Sequence, residues 1–396
     1  MPTASSIAAL LLSVFVLITG NGLLNTLVPL RTKLDGFPEM AIGLIGSAYF
    51  VGMLVGTFVS AAIIRKTGAK TAFGIFAGLT VLSALVFPVL PNAVVWIALR
   101  ALLGFAFAGL YAVIEAWLNA RSDNSNRGRV YALYQIVTFA GSAAGQEMIA
   151  FTKPQAELLF GLAALCLAAA VVPLALSKGA APRVSRSVSL QLRWMARLSP
   201  IGTVAALCIG AANGSFYSLA PVYGLGLGLS SAKVATFMTA TILGTAAAVY
   251  PVARLSDGHD RRIVLTVFAA IGVLAESMLA MTSHGSMMLL SCLGLSVGAS
   301  TMVLYTVAIS HVNDRAGPEN GVEVSSTMLF LYCVGAIIGP ATASAAMSWY
   351  GPSALFVQNA IIHTALVGFI AWRLLARERL TLAAQPLRLT ARARLG

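Results

Sequence analysis

Charge is what this chain has least of. Only 10% of its 396 residues are charged and 58% are hydrophobic, whereas a soluble globular domain carries about 25% charged residues. That shortage excludes an ordinary soluble domain. Cysteine is scarce too: Cys166, Cys208, Cys292 and Cys333 all lie inside apolar runs, with no pair at redox or metal-ligand spacing, and they read as packing residues. The four histidines, His259, His284, His311 and His363, are far apart, and the 13 methionines are scattered; no metal site is expected. A nucleophile elbow, a phosphate-binding loop and a zinc-protease helix are all missing. The chain is therefore read as a non-enzyme that needs no cofactor and hydrolyses no ATP.

What it does have is apolar length. A helix needs about 20 apolar residues to cross a hydrocarbon core about 30 Å thick. Runs of that kind fall near residues 6–30, 40–63, 71–90, 93–119, 129–151, 157–176, 199–222, 231–252, 263–282, 286–310, 322–347 and 353–374. The pattern predicts an all-α membrane protein with twelve transmembrane helices. Between the two sets of six, residues 177–198 are basic and proline-interrupted, as in a cytoplasmic linker with an interfacial helix. Residues 376–396 form a basic cytoplasmic tail. The first 30 residues contain no basic residue, so the first run is read as a retained span and not as a cleaved signal.

The formal net charge of +13 would suggest nucleic acid if the basic residues formed a patch. They lie instead in short clusters between apolar runs. With the N-terminus placed inside, 21 of the 26 Lys and Arg fall in cytoplasmic connections and the tail. Arg31, Lys33, Lys153 and Lys233 fall on the other side, and Arg100 sits within span 4. This asymmetry predicts that both termini are cytoplasmic, with the lipid bilayer and not nucleic acid as the surrounding partner.

A shift of 192 to 194 residues brings the two halves into register. Asn21, Gly22, Leu27 and Pro29 fall on Asn213, Gly214, Leu219 and Pro221, and Gly52 falls on Gly244. Gly104, Tyr111, Asn119, Arg121, Asn126 and Gly145 fall on Gly298, Tyr305, Asn313, Arg315, Asn320 and Gly339. Residues 1–176 and 199–375 are thus predicted to be two pseudo-symmetric six-helix bundles in parallel orientation, an architecture of secondary transporters.

Over nearly its whole length the chain resembles the major facilitator superfamily. The family pattern Gly, Asp, Arg, Gly, Arg, Lys between spans 2 and 3 is matched by RKTGAK, with Arg65 in the place of the aspartate. The second copy, RLSDGHDRR, keeps Asp257, Arg261 and Arg262. Span 4 has the family's Arg-xxx-Gly at Arg100 and Gly104. The stretches LNTLVPL, SAYFVGMLVGTF and NRGRVYALYQIVTFAGSAAGQ are similar to the YcaD-type branch of bacterial transporters. The glycine-rich, Gly-Pro signature of drug exporters is missing from span 5.

The resemblance implies that helices 1, 4 and 7 face a central cavity, and the residues fit that role. Arg100 is a buried charge suited to an anionic group or to tuning a proton carrier. Asn21 with Asn25, and Asn213 with Tyr217, are four apart and share a helix face. Their hydrogen-bonding capacity suits a neutral or zwitterionic solute, although Asn21 and Asn213 would equally serve helix packing. Tyr111 and Tyr305, the repeat-related tyrosines, complete the expected solute-binding set. Proton coupling is expected, if anywhere, at Arg100, Glu147 or Glu276.

The family likeness also implies a cytoplasmic gate. Arg65 and Lys66 would face Glu319 and Glu323 at the start of span 11, and Asp257 and Asp260 would face Arg127 and Arg129 at the start of span 5. Glu115, Arg121 and Arg315 belong to the same layer. The expected function is a secondary active transporter, a monomer in the bacterial inner membrane, moving a small organic solute by alternating access. The alternatives are a drug or metabolite exporter and, from other classes, a transporter-like sensor or an intramembrane enzyme.

Overall fold

A backbone surrounded by hydrocarbon has to satisfy its own hydrogen bonds, so long apolar runs form helices. The computed structural model describes residues 4–122, 126–176, 190–282 and 286–383. Most of the linker (177–189) and the last part of the tail (384–396) lie outside the described residues, as does His284. The described part is helical, with no strand. Its elements are α1 (Ala4–Leu34), α2 (Glu39–Thr67), α3 (Ala69–Val89), α4 (Ala93–Arg121), α5 (Arg127–Glu147), α6 (Leu158–Ala169), α7 (Val171–Leu176), the short α8 (Leu192–Leu198), α9 (Pro200–Gly226), α10 (Ser231–Gly258), α11 (Arg261–Met281), α12 (Met287–Ser300), α13 (Leu304–Ala316), α14 (Gly321–Tyr350) and α15 (Ala354–Ala383). Asn92, Ser199, Ser230, Asp260 and Ser286 cap α4, α9, α10, α11 and α12 through side-chain oxygens that accept from first-turn N–H groups.

Eleven of these segments are long and apolar enough to cross a membrane, with α6–α7 and α12–α13 each counting as one. The twelfth expected span is α5. It is a helix of 21 residues, but Tyr131, Tyr134, Gln135, Thr138 and Ser142 dilute its apolar character. It packs along α1, and its polar stripe has a use described below. Two spans expected to be continuous are broken. Pro173 cannot donate to the helix behind it, and α6 gives way to α7 at Ala170. Ser300 and Thr301 return their hydroxyls to the carbonyls of Ser296 and Val297, at 2.6 and 2.9 Å, where α12 ends.

Pairwise packing follows the sequence repeat. In the first half α2 packs on α4, and α1 on α5 and α6; in the second, α10 packs on α12, and α9 on α14 and α15. The repeat-related glycines sit at these crossings. A Cβ on Gly52 would lie 1.8 Å from the Ala101 carbonyl oxygen, and one on Gly244 would lie 2.1 Å from that of Leu295. Gly104 and Gly298 repeat the relation against Tyr49 and Thr241 at 1.8 and 1.9 Å, and Gly145 and Gly339 against Thr19 and Ala211 at 2.2 and 2.1 Å. No side chain fits at these points, and glycine there lets two helix backbones touch.

Short connections make successive helices alternate in direction, so one face holds the ends of α2, α4, α10 and α13 together with the described ends of the chain. This is the terminal face. On the opposite face, the start of α2 is pressed against the end of α14. Ser47 Oγ donates to the Ile337 carbonyl at 2.6 Å. A Cβ on Gly43 would lie 1.9 Å from Ser344 Oγ, and one on Gly46 would lie 2.4 Å from Ser218 Oγ. Replacing Gly43 with leucine should therefore wedge α2 from α14. In a background lacking the native cysteines, a cysteine introduced at Ser142 should become several-fold more reactive to an impermeant maleimide added from the opposite face. Unchanged labelling would show that this contact does not close that face.

Candidate functional site

Between the two halves lies a cavity of about 480 Å³. Helix α1 contributes Ile18, Asn21 and Asn25; α2 contributes Tyr49, Phe50 and Met53; α4 contributes Arg100 and Tyr111. From the second half come Asn213, Tyr217 and Ser218 of α9, Thr245 of α10, Tyr305 of α13 and Tyr332 of α14. All seven residues expected to meet the solute, Asn21, Asn25, Arg100, Tyr111, Asn213, Tyr217 and Tyr305, line this one space. Asn21, Asn213 and Ser218 are buried at its depth, whereas Gln135 and Thr306, nearer the terminal face, are exposed. The cavity is thus closed on one side of the molecule and open on the other.

Arg100 is 4% exposed. Its guanidinium carbon stands 4.7 Å from the centre of the Tyr49 ring, and Nη1 donates to Asn25 Oδ1 at 3.4 Å. Nε is buried with no partner. The Tyr49 ring is held there by backbone packing, because the Tyr49 carbonyl abuts Gly104, one turn beyond Arg100. Across the cavity the rings of Tyr305 and Tyr332 meet edge to face, 5.1 Å apart.

The lining also includes residues that sequence reasoning missed. Gln135, Thr138 and Ser142 form a polar stripe on α5. Their spacing of three and four within an apolar run is a readable signal of a helix facing a polar interior. Tyr332 is the repeat mate of Thr138, and the two line the cavity from opposite halves. Tyr49 carried no such signal, since its mate is Thr241 and does not line the cavity.

Comparison with known proteins agrees with this architecture. The family model described as Major Facilitator Superfamily matches residues 10–340 and, separately, 203–390. The chain belongs to the major facilitator superfamily. It is 26% identical to the MFS-type transporter YcaD of Escherichia fergusonii over 358 residues, covering 89% of this chain and 92% of that protein. It is 27% identical to YcaD of Salmonella typhimurium over 359 residues, with the same coverage. Among solved structures, the nucleoside transporter NupG superimposes with a TM-score of 0.79 at 12% identity, covering 92% of this chain and 98% of that one. A POT family transporter in complex with a thioalcohol-conjugated peptide reaches 0.77 at 12% identity, covering 95% and 96%. The structural likeness concerns the fold alone.

In this major facilitator chain, neither carboxylate expected to carry protons lines the cavity. Glu147 is half-buried at the end of α5. Glu276 is 1% exposed and meets His363 Nδ1 at 2.8 Å, within the packing of α11 against α15. Span 9 is peripheral, which is why a carboxylate there could be buried only with a partner of its own. On the same buried face, one turn before His363, Asn359 Nδ2 donates to the Ala212 carbonyl at 3.2 Å.

The expected gate pairs are not formed among the described residues. Asp257 pairs with Arg261 at 3.0 Å and Asp260 with Arg262, while Arg127 and Arg129 are exposed. Arg65 and Lys66 are exposed at the end of α2, Glu319 is exposed, and Glu323 is half-buried in the first turn of α14. Glu115 is exposed one turn beyond Tyr111, Arg121 stacks over Trp117 at 4.7 Å, and Arg315 shares a recess with Asp257 and Asp260. Each aspartate has a nearer arginine on its own segment, Arg261 four residues after Asp257 and Arg262 two residues after Asp260. Hydrogen bonds from Arg262 hold the Asp260 carboxyl down to about 2. The folded value lies below the ordinary one of about 3.9, so the stability this pair supplies is present above that value and is lost only as pH falls through about 2.

Removing one partner of a buried hydrogen-bonded couple leaves the other unsatisfied, at a cost of about 1–3 kcal/mol. His363→Ala should therefore lower the unfolding temperature of the purified protein markedly. The paired replacement of Glu276 and His363 by glutamine and asparagine should recover part of that loss. Equal stability of the single variant and the parent would deny the pair any structural role.

Proposed function

We propose that this protein is a secondary active transporter that moves a small organic solute across the bacterial inner membrane by alternating access. One observation carries the reading: a cavity lined by Arg100 and by amide, hydroxyl and aromatic side chains lies between two repeat-related halves, closed at one face by α2 against α14 and open at the other. The two six-helix bundles, residues 1–176 and 199–375, act as the rocking bodies, and one chain completes the site, so a monomer suffices. The excess of basic residues on the terminal face puts that face in the cytoplasm. On this orientation the structure is the inward-open state.

The solute contacts Asn21, Asn25, Arg100, Tyr111, Asn213, Tyr217 and Tyr305. Arg100 is the only formally charged side chain among the described lining residues. Arginine and tyrosine do not ordinarily exchange protons between pH 5 and 8. A proton drive would therefore act through a group beyond the cavity wall or travel on the solute itself. The separated charges of the terminal face belong to the other state, in which Arg65 meets Glu323 and Asp257 meets Arg127 or Arg129 as that face closes.

Uptake and exchange by proteoliposomes, screened against metabolite pools with and without an imposed pH gradient, test the reading. The expected result is movement of at least one organic solute, reduced at least tenfold by Arg100→Gln; no movement of any solute would overturn it. For the gate, Arg65→Glu should slow exchange and raise cytoplasmic labelling of a cavity cysteine, and adding Glu323→Arg should restore part of both. Absence of rescue would mean that another contact holds the cytoplasmic face shut.

A further inference from the structure

We propose that the transported solute is a small organic monoanion whose carboxylate docks on Arg100. This rests on the transport reading of the cavity and adds the charge of the cargo. A guanidinium presents five N–H donors. Here it is almost fully buried, makes one long hydrogen bond to a neutral amide, lies against the Tyr49 ring and leaves Nε without a partner. No Asp or Glu among the described residues lies within ion-pairing distance of it, and none lines the cavity. A cation within a membrane helix is costly and ordinarily has an acid or a backbone partner. One kept unpaired in a cavity wall is paired by the ligand that enters.

The arrangement also excludes other charge types. A dianion would bring a second charge with no cation to meet it. A zwitterion would bring an ammonium into a space that holds no carboxylate and already holds one positive charge. A neutral solute could accept hydrogen bonds from the guanidinium but would bring no counter-charge to it. A monocarboxylate cancels the only formal charge in the space and can accept two parallel N–H bonds from the guanidinium fork. The opposite wall shows what the remainder of the solute meets: Tyr217, Tyr305 and Tyr332 offer ring faces and hydroxyls. The body is therefore planar or hydroxyl-bearing, within the size set by about 480 Å³.

The test uses the purified full-length chain and thermal stabilisation by acid and amide pairs: benzoate and benzamide, lactate and lactamide, nicotinate and nicotinamide. Succinate, phenylalanine and uridine represent dianions, zwitterions and neutral solutes. The largest stabilisation should come from a monocarboxylate, and its amide should bind at least tenfold more weakly, a comparison that needs no variant. Arg100→Gln should abolish the effect, Arg100→Lys should keep a part because it retains charge without the fork, and Arg193→Gln, exposed on α8, should leave it intact. An amide equal to its acid, or strongest binding by the dianion, zwitterion or neutral solute, overturns the proposal. Proteoliposome exchange then separates the two readings. Exchange of solutes of another charge class sinks the monoanion alone, and failure of every class to bind or exchange sinks the transport reading with it.

Discussion

Close contact of helix backbones at glycine organises this molecule. In lipid there is no hydrophobic gain from bringing helices together, so association depends on how closely they can approach. At Gly52 and Gly104, and at their counterparts Gly244 and Gly298, one helix rests its glycine on the other's carbonyl. These contacts fix the angle and register of α2 against α4 and of α10 against α12. They also fix the functional geometry, because the carbonyl that touches Gly104 belongs to Tyr49, the residue whose ring covers Arg100. A methyl group at either glycine would move the site as well as the helix.

The halves share this scaffold but not its chemistry. Asn21 with Asn213, Tyr111 with Tyr305, and Thr138 with Tyr332 line the cavity as repeat-related pairs. Arg100 does not follow the pattern, since the same shift leads to Gly294, which packs on Phe237. The cavity thus carries Arg100 on the wall of the first half, while aromatic side chains line both walls. A solute held between them would touch both halves, as the proposed transport cycle requires.

Two other buried polar groups are kept away from this space. Glu276 meets His363 Nδ1 between α11 and α15, while His363 Nε2 is buried without a partner, and Asn359 ties α15 to the backbone of α9 next to Asn213. They hold the outer helices of the second half to the helix that lines the cavity. On the terminal face Asp257, Asp260 and Asp314 turn to arginines of their own half, while α2 and α14 meet at the opposite face.

Much of this was legible in the residues. Apolar run length marked the helices, the 192-to-194-residue repeat marked the halves, and polar residues at helical spacing on spans 1, 4 and 7 marked the cavity, because a polar group facing lipid is too costly to keep. Span 5 shows the same logic reversed: the polar stripe that weakens α5 as an apolar segment is its contribution to the cavity. Other features could not be read. Tyr49 reaches Arg100 only through a glycine crossing between residues far apart in sequence. Glu276 is one of three candidates for proton coupling in the sequence, and its contact with His363, 87 residues away, is invisible there. The state of the gate was equally hidden, since the charges of Arg65, Glu323, Asp257 and Arg127 are compatible with pairing or separation. Composition and periodicity are properties of single segments, so the chain alone determined its helices, its duplication and its polar faces. Which faces meet, and which end of the cavity is shut, depends on contacts between segments, and only the packed structure decided those.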